Sequence, residues 1–210
     1  MVDERDRSLT PSDLPEIVRK IRTRTPARLL AGRAGAAYRT STQLELREAH
    51  AAARDAVRAE LNLETDFSPE CLRRWEPFEV RTRAATKAEY LLRPDLGRQL
   101  DDASRVELQR SGSRDADLQI AIGDGLSVSA VLAQVPALLP LLAEGAAARG
   151  WKIGRMFAIR HCRVGVLNEI GELLEPRVAI LLIGERPGLA TAESLSAYMA
   201  YKPRAVHTAR

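Results

Sequence analysis

The chain has 210 residues, which is enough for one well-formed hydrophobic core or for two small domains. Hydrophobic residues make up 45% of the chain and charged residues 29%, proportions that are ordinary for a soluble globular protein. The net charge is only +4, aromatic residues make up 4%, and acidic side chains are interspersed with basic ones, so the composition argues against a nucleic-acid-binding surface.

Secretion and membrane insertion are also not indicated. No apolar run approaches the roughly 18 residues that span a bilayer, and the N-terminal segment, residues 1–6, is charged rather than apolar. The chain has two cysteines, Cys71 and Cys162, and their spacing is not that of metal ligands. We therefore expect reduced thiols, a cytoplasmic location, no membrane partner and no metal site.

Residues 1–112 predict a small helical module. A serine or an aspartate at positions 12–13 can cap a first helix, in which apolar residues recur at helical spacing over 14–21. A second helix is expected over residues 42–61, which are rich in alanine, glutamate, arginine and leucine. The Ala-Gly-Arg-Ala-Gly segment at 31–35 is interpreted as a flexible link between the two helices.

Two further elements are expected before residue 113. The alternating segment at 78–82 predicts a short strand, and the Arg-Pro-Asp-Leu-Gly-Arg segment at 93–98 predicts a turn that leads into a helix. Pro94 is expected near the first position of that helix, because a missing N–H is tolerated there.

Residues 113–210 have a different pattern and predict an α/β domain. Strands are expected at 118–122, 156–159, 178–183 and 195–201, and helices at 128–148 and 167–174. This alternation implies right-handed crossovers and a parallel sheet. Pro136 and Pro140 should bend or interrupt the first of these helices. A short extended piece is expected at 164–167.

The run at 178–183 and the turn after it are the strongest indication of a binding site. Six apolar residues without a helical period predict a strand that is buried on both faces, and a Gly-Glu-Arg-Pro-Gly turn follows it. Ligands of open α/β sheets bind outside the carboxyl ends of the strands, so Glu185 and Arg186 lie where a cofactor would be held. The alternative is a surface turn whose two charges are merely solvated.

A second turn predicts a companion to Glu185. The Gly-Asp-Gly segment at 123–125 ends the strand at 118–122, which places Asp124 on the same sheet edge as Glu185 if the two strands are parallel. The segment is not a dinucleotide fingerprint, because Val128 stands at the position of the third glycine. The sequence also has no glycine-rich phosphate-binding loop of the Gly-Lys-Ser/Thr type. The residues alone therefore leave the ligand open.

Six sequence blocks, in chain order, carry a resemblance to a known family. They are Gly-Arg-Ala-Gly at 32–35, Leu-Arg-Pro-Asp-Leu-Gly-Arg at 92–98, residues 117–127, Arg-Val at 163–164 with Ile-Gly-Glu at 170–172, residues 183–189 and residues 191–198. Together they resemble the small (light) subunit of ethanolamine ammonia-lyase, over about residues 25–203. Each block alone is weak evidence, whereas their shared order is specific.

The resemblance implies a fold, an activity and a partner. The family's enzyme converts ethanolamine to acetaldehyde and ammonia and uses adenosylcobalamin as its radical source. Its large subunit is a TIM barrel that carries the substrate site and the radical chemistry, and its small subunit resembles a Rossmann-like parallel-sheet domain preceded by a smaller helical N-terminal module. We therefore expect an ammonia-lyase subunit in a hetero-oligomer, with no catalytic residue of its own. Its expected location is the cytoplasm, either free or inside a bacterial microcompartment.

By the same resemblance, Val164 and Glu185 occupy positions at which the family contacts the cofactor. Val164 would offer backbone groups and an apolar surface to the corrin, and Glu185 would accept a hydrogen bond from an amide or a ribose hydroxyl. Arg163 is a further candidate, for an amide oxygen or a phosphate. The alternative for Arg163 is an ion pair with Glu169 or Glu172.

Histidine ligation of cobalt is not expected. Some cobalamin proteins supply this ligand from an Asp-x-His-x-x-Gly loop, and the sequence contains no such run. The cofactor's own benzimidazole should therefore stay on cobalt, as the resemblance also implies. The three histidines, His50, His161 and His207, are expected to be structural or exposed rather than catalytic.

The sequence departs from the family at its C-terminus. Family chains continue well past positions 201–204, with a further cofactor-contacting cysteine and a Gly-Gly-x-Pro-Pro segment, whereas this sequence ends at Arg210. Cys71 and Cys162 do not match that cysteine. We expect one sheet face to be uncovered and the isolated chain to be marginally stable or to aggregate.

Three other functions stay open at this point. The chain can be a stand-alone α/β domain that binds a nucleotide-like ligand, an inactive truncated remnant of the family, or a scaffold whose N-terminal helix docks on a partner such as a microcompartment shell. A neighbouring gene for a large subunit would favour the lyase subunit. Loss of localisation after deletion of residues 1–26, with ligand binding intact, would favour the scaffold.

Overall fold

The described part of the chain forms eight α-helices and seven β-strands. The computed structural model describes residues 16–25, 33–188 and 191–205. The helices are α1 Glu16–Arg22, α2 Thr40–Arg58, α3 Leu63–Asp66, α4 Pro69–Trp75, α5 Lys87–Leu92, α6 Asp102–Ser111, α7 Val128–Ala147 and α8 Val166–Leu174. The strands are β1 Arg33–Ala34, β2 Ala37–Tyr38, β3 Phe78–Arg81, β4 Leu118–Gly123, β5 Phe157–Arg160, β6 Val178–Gly184 and β7 Leu195–Tyr201. A 3-10 helix lies at Leu96–Arg98.

Five of the strands form one sheet, in the order β3-β5-β4-β6-β7. The pairs β3–β5, β5–β4 and β4–β6 are parallel, whereas β6–β7 is antiparallel. The mixed α/β class is therefore confirmed, and the predicted parallel sheet holds for four strands. The direction of β7 has a simple reason: only residues 185–194 join β6 to β7, a connection too short for the helical crossover that a parallel pair requires.

The strand β3 joins this sheet from the N-terminal part of the chain. It pairs with β5 in register, with Phe78 opposite Phe157, and occupies one edge of the sheet. The strand predicted at 78–82 is thus confirmed, and the sheet contains one strand from the segment predicted to be helical. The domain boundary at residue 112, the separate helical module and the Rossmann-like assignment stay predictions.

The sheet separates two hydrophobic cores, because successive side chains of its strands point to opposite faces. The core between the sheet and α7 includes Ile120, Ile122, Val131, Leu139 and Leu182. The core between the sheet and the helices α6 and α8 includes Leu108, Phe157, Ile159, Ile170 and Leu181. All residues of β4, and all but the first of β6, are buried. The apolar run at 178–183 is therefore the strand buried on both faces that the sequence predicts.

The strand order defines where a ligand crevice can form. The chain leaves β4, passes along α7 on one face of the sheet and returns as β5 on one side of β4. It then passes along α8 on the opposite face and returns as β6 on the other side of β4. The connections diverge between β4 and β6, and such a switch point is where open α/β sheets bind ligands.

The helix α7 is more continuous than the sequence predicts. It runs through both Pro136 and Pro140 without interruption. Burial of Val131, Val135 and Leu139 against the sheet compensates for the hydrogen bonds that the prolines cannot donate. By length and composition alone α7 could cross a membrane, against the expectation from the sequence, but the core helix of a globular protein passes the same test.

Two local predictions are wrong, those for 31–35 and 164–167, and a third, for 93–98, holds only in part. Residues 33–35 are not a flexible link, because β1 pairs with β2 in a hairpin whose turn contains Gly35 at a φ of 60°. The segment 93–98 follows α5 and forms a turn and the 3-10 helix, while α6 begins later and is capped by Asp101. The segment 164–167 is a turn and the start of α8 rather than an extended piece.

The first two helices, α1 and α2, contribute little to either core. No residue of α1 is buried, and Ile17 is 64% exposed. The cap predicted at 12–13 lies outside the described residues. The helix predicted at 42–61 is present as α2, which ends earlier and buries only Ala56. Stability therefore comes mainly from the sheet and the helices that pack on it.

Candidate functional site at the carboxyl edge of the sheet

The carboxyl ends of the four parallel strands lie along one edge of the sheet, here called the carboxyl edge. It is formed by residues 82–83 after β3, 161–165 after β5, 124–127 after β4 and 185–188 after β6. Because β4 and β6 are parallel and paired up to their ends, Asp124 and Glu185 lie on the same edge, as predicted. The sheet thus brings together four segments that are distant in the sequence.

Asp124 joins the segment after β4 to the segment after β5. It is 1% exposed, and its two carboxylate oxygens accept hydrogen bonds from the backbone N–H groups of His161 and Cys162, both at 2.9 Å. His161 has a φ of 55°, in the left-handed region that residues other than glycine rarely adopt. The carboxylate stabilises this turn, so Asp124 supports the edge from inside rather than facing a ligand.

Lys87, the first residue of α5, balances the charge of Asp124. It is 7% exposed, its Nζ donates a hydrogen bond to the Gly125 carbonyl at 3.0 Å, and the same atom lies 3.7 Å from Oδ2 of Asp124. A buried lysine needs such partners, because an isolated charge in the interior is costly. No sequence motif marks Lys87, since its bond to Gly125 joins positions 38 residues apart.

Tyr90 lies one turn further along α5 and supports the segment after β5. It is fully buried, and its hydroxyl donates a hydrogen bond to the Cys162 carbonyl at 3.0 Å. Burial raises the pKa of Tyr90 well above its ordinary value, although the charge of Arg163 opposes the rise. Burial and the charge of Asp124 also raise the pKa of the Cys162 thiol. Both groups therefore stay protonated at neutral pH, and Cys162 is not an activated nucleophile.

Two glycines bring the segments after β4 and β6 into direct contact. The N–H of Leu126 donates a hydrogen bond to the Gly184 carbonyl at 2.9 Å. A Cβ atom on Gly184 would collide with the carbonyl of Ser127, and one on Gly125, whose φ is 56°, would collide with the carbonyl of Gly184. The backbone of these two segments therefore fills the base of the switch point. Because Glu185 follows Gly184 directly, this contact also fixes Glu185 relative to β4.

Glu185 is half-buried and is held by β7 and the segment before it. Its N–H donates to the Ser194 carbonyl at 2.9 Å, and its Oε1 accepts a hydrogen bond from the Tyr198 hydroxyl at 3.0 Å. This hydrogen bond and the negative charge of Glu185 raise the pKa of Tyr198. Arg186 is exposed. The alternative of a merely solvated turn therefore fits Arg186 but not Glu185.

Arg163 rests on the ring of Tyr90. Its guanidinium carbon is 4.4 Å from the ring centroid, and its Nη2 donates a long hydrogen bond, 3.4 Å, to the Tyr90 carbonyl. Its Nε is buried and has no hydrogen-bond partner. The alternative prediction of an ion pair with Glu169 or Glu172 is wrong, because Glu169 pairs with Arg105 and Glu172 accepts a bond from a backbone N–H near the C-terminus.

Val164 lies in the turn between β5 and α8. Its side chain is partly buried against the core on the α8 side of the sheet. Arg163 and Val164 after β5, and Glu185 after β6, therefore lie on either side of β4. The charges of Arg163 and Glu185 both influence the pKa of Tyr90, so this ring is within electrostatic range of both. The three predicted residues share one edge, beside a buried cluster that the sequence did not predict.

Within the described ranges, no group of three or more histidine, cysteine, aspartate or glutamate side chains could hold a metal ion. His161 is buried, and its Nδ1 donates a hydrogen bond to the Ala84 carbonyl at 2.8 Å; its Nε2 has no hydrogen-bond partner and lies 3.9 Å from Oε1 of Glu60. His50 is exposed, and His207 lies outside the described residues. The ring of His161 is thus turned into the protein rather than toward the edge surface.

The fold and this edge define a class of protein: an α/β protein whose parallel strands end at one shared edge, the position at which such sheets bind ligands. Comparison with known families gives the particular one. The family model described as ethanolamine ammonia-lyase light chain matches residues 15–210. The chain belongs to this family, and the resemblance carried by the six sequence blocks is confirmed.

Curated relatives support the assignment. Proteins named ethanolamine ammonia-lyase small subunit include one from Clostridium perfringens, 40% identical over 88% of this chain and 61% of the relative. One from Fusobacterium nucleatum is 42% identical over 92% of this chain and 68% of the relative. One from Listeria monocytogenes is 42% identical over 88% of this chain and 61% of the relative. The chain thus spans 61–68% of the length of these relatives.

Proposed function

We propose that the chain is the cofactor-binding small subunit of an adenosylcobalamin-dependent ethanolamine ammonia-lyase. It acts in a hetero-oligomer with a large subunit, and that subunit carries the conversion of ethanolamine to acetaldehyde and ammonia. Membership of the light chain family supports the proposal, as do the names of the relatives. The proposed location is the cytoplasm, either free or in a microcompartment.

One structural observation carries the proposal: the three candidate residues lie together at the carboxyl edge. Arg163 and Val164 follow β5, Glu185 follows β6, and the switch point of the sheet lies between β4 and β6. This is the position at which open α/β sheets hold large ligands. A corrin ring is broad enough to contact the ends of several neighbouring strands at once.

The residues present fit the chemistry of the cofactor's periphery, which offers amide donors, amide acceptors and a phosphate. Glu185 has one carboxylate oxygen bonded to Tyr198, so its second oxygen can accept a bond from an amide or a ribose hydroxyl. Arg163 has a buried Nε–H without a partner. Val164 adds apolar contact. A cobalamin bound here would supply the organic radical that starts the reaction.

The chain's own residues would therefore bind the cofactor, orient it and exclude water. The buried Cys162 thiol has a raised pKa, and the Nδ1–H of His161 is bonded to a backbone carbonyl, so both favour a supporting role over acid–base or nucleophilic chemistry. The rigid backbone contact between the segments after β4 and β6 holds the binding groups in place before the cofactor arrives.

The test is co-expression with an ethanolamine ammonia-lyase large subunit, followed by pull-down in the presence of adenosylcobalamin. The measured quantity is the cobalamin absorbance of the eluate relative to protein. We expect a coloured complex from the wild-type chain and a weakly coloured one from Glu185→Ala, with both chains present. Glu193→Ala is the matched control, because Glu193 is an exposed glutamate in the same β6–β7 connection. A complex without cobalamin from the wild-type chain would contradict the proposal.

A docking role for α1 is the second candidate. This helix buries none of its residues, and Ile17 is 64% exposed, so its apolar side is available to a partner. The proposed partner is a microcompartment shell. Deletion of residues 1–26 should then abolish co-localisation with the shell and leave cobalamin binding intact. Unchanged localisation of the deletion variant would exclude this role.

A further inference from the structure

Arg163 is a cation without a carboxylate partner in the described part of the chain. The two nearest acidic residues in the following helix are bonded elsewhere, Glu169 to Arg105 and Glu172 to a backbone N–H. The Nε of Arg163 is buried and has no hydrogen-bond partner. A partly buried guanidinium gains most from an anionic acceptor, because only a charge balances its lost hydration.

The side chain is also held in one orientation. Its guanidinium lies on the Tyr90 ring, its Nη2 bonds the Tyr90 carbonyl, and its backbone N–H donates to the Gly97 carbonyl at 2.8 Å. Close packing adds to this, since a Cβ atom on Gly97 would lie only 2.7 Å from Cγ of Arg163. A guanidinium fixed in this way loses little entropy when a ligand binds.

A second arginine, at the end of the 3-10 helix, packs against the same turn. The Cβ, Cγ and Cδ atoms of Arg98 lie 3.0–3.3 Å from where a Cβ on Gly165 would be, so this side chain crosses the turn that contains Arg163 and Val164. Arg98 is exposed and forms no ion pair with any described residue. Two arginines without an ion pair to a described residue, Arg163 on this turn and Arg98 packed across it, give this end of the carboxyl edge a positive charge.

We infer that Arg163, assisted by Arg98, binds a phosphate group of the ligand, and that Tyr90 is the positioning residue that holds Arg163 for this contact. The inference rests on the proposed function for its source of phosphate, which is the phosphodiester of the cobalamin nucleotide tail. An amide oxygen of the corrin is the less suitable acceptor, because it is neutral and leaves the guanidinium charge without a counter-ion. Glu185, at the other side of β4, then serves the neutral donors of the ligand.

The phosphate contact can be tested on the full chain without any cofactor. The probe is inorganic phosphate, and the signal is the side-chain Nε–H resonance of Arg163 in a ¹⁵N spectrum, assigned by its loss in Arg163→Lys. We expect phosphate to shift this resonance saturably, whereas chloride at equal ionic strength should not. A resonance that responds to neither salt, or equally to both, would overturn the inference.

Tyr90 is tested by two substitutions that separate its ring from its hydroxyl. Tyr90→Phe keeps the ring under the guanidinium and should keep the phosphate-dependent shift of the Arg163 resonance. Tyr90→Leu removes the ring and should weaken the apparent affinity for phosphate about tenfold. Thermal unfolding of both variants shows whether each is folded at the measuring temperature. Equal phosphate affinity in folded Tyr90→Leu and in the wild-type chain would exclude the positioning role.

The source of the phosphate is tested with cobinamide, which lacks the nucleotide tail of cobalamin. In the complex with the large subunit, the ratio of cobinamide to cobalamin dissociation constants should fall about tenfold or more in Arg163→Gln. Arg110→Gln is the matched control, because Arg110 is an exposed arginine paired on the outer surface of α6. An unchanged ratio would overturn the assignment to the phosphodiester. Failure of the wild-type complex to bind either compound would refute the proposed function, while the phosphate titration would still decide the anion site.

Discussion

The two ends of the carboxyl edge are built differently. The segment after β5 is fixed from inside the protein, by two bonds to Asp124 and one from Tyr90. The carboxylate of Glu185, after β6, is held by a single bond from the partly exposed Tyr198. The difference separates support from proposed contact: buried residues of α5 and the segment after β4 set the geometry, and the half-buried residues at the surface are those proposed to contact the ligand. Substitutions in the first group should reduce stability, and those in the second should reduce binding.

The largest expected loss of stability is that of Asp124→Ala. The substitution removes the acceptor of two backbone N–H groups and leaves Lys87 as a buried charge without its counter-ion. Loss of one partner from a buried ion pair lowers the free energy of unfolding by about 3–5 kcal/mol. Urea unfolding is the measurement, with Asp95→Ala, at an exposed carboxylate, as control. If the two variants lose equal stability, the buried cluster does not support the edge.

Gly184→Ala should have the next largest effect, because its Cβ would collide with the backbone carbonyl of Ser127. We expect a loss of about 1–3 kcal/mol in the free energy of unfolding, together with weaker cobalamin binding, since Glu185 is displaced. Gly145→Ala in α7 is the control: the nearest atom to its Cβ is 3.8 Å away, and alanine favours the helix. A Gly184→Ala variant as stable as Gly145→Ala would contradict the close contact at the switch point.

Tyr90→Phe tests the buried residues that support the segment after β5, and it should reduce stability less than the two substitutions above. It removes only the hydroxyl and leaves the Cys162 carbonyl without this donor. A loss of about 1–2 kcal/mol in the free energy of unfolding is expected. Tyr38→Phe is a suitable control, because Tyr38 is exposed. No difference between the two variants would mean that the bond to Cys162 contributes nothing to the edge.

Glu185→Gln should have the smallest effect on stability and a distinct effect on Tyr198. The carboxylate stabilises the protonated phenol, so this contribution is complete below the ordinary tyrosine pKa of about 10 and is lost as the pH rises through the raised value. Removing the charge should lower the pKa of Tyr198 toward that ordinary value. Absorbance at the phenolate band, with Tyr198→Phe for assignment and Glu193→Gln as control, measures the shift. An unchanged titration would argue against the bond.

Much of the central sheet could be predicted from the sequence, because its signals are local. The uniform apolar run of β6, and the turns that follow β4 and β6, follow from strand length and turn residues alone. The shared edge of Asp124 and Glu185 then follows from parallel pairing. Glu185 follows from the strand and turn pattern as well as from the family resemblance, whereas Arg163 and Val164 were selected by the resemblance alone; the structure places all three on one edge.

The rest depends on contacts between distant residues. The roles of Lys87 and Tyr90 could not be predicted, because the sequence of a short helix does not indicate which distant segments its side chains will contact. The bond of Asp124 to backbone N–H groups likewise requires the left-handed turn at His161, which no local pattern marks. The continuity of α7 through two prolines depends on packing against the sheet, and packing overrides local propensity.

The position of β3 at the sheet edge has a consequence for the order of folding. Among the described strands β3 pairs only with β5, which comes much later in the chain: the bond from Thr82 just after β3 to the His161 carbonyl just after β5 spans 79 residues. During synthesis β3 stays unpaired until β5 has left the ribosome, and closing so long a loop is slow. The strand of this sheet that is made first can therefore pair only after β4, α7 and β5 have been made.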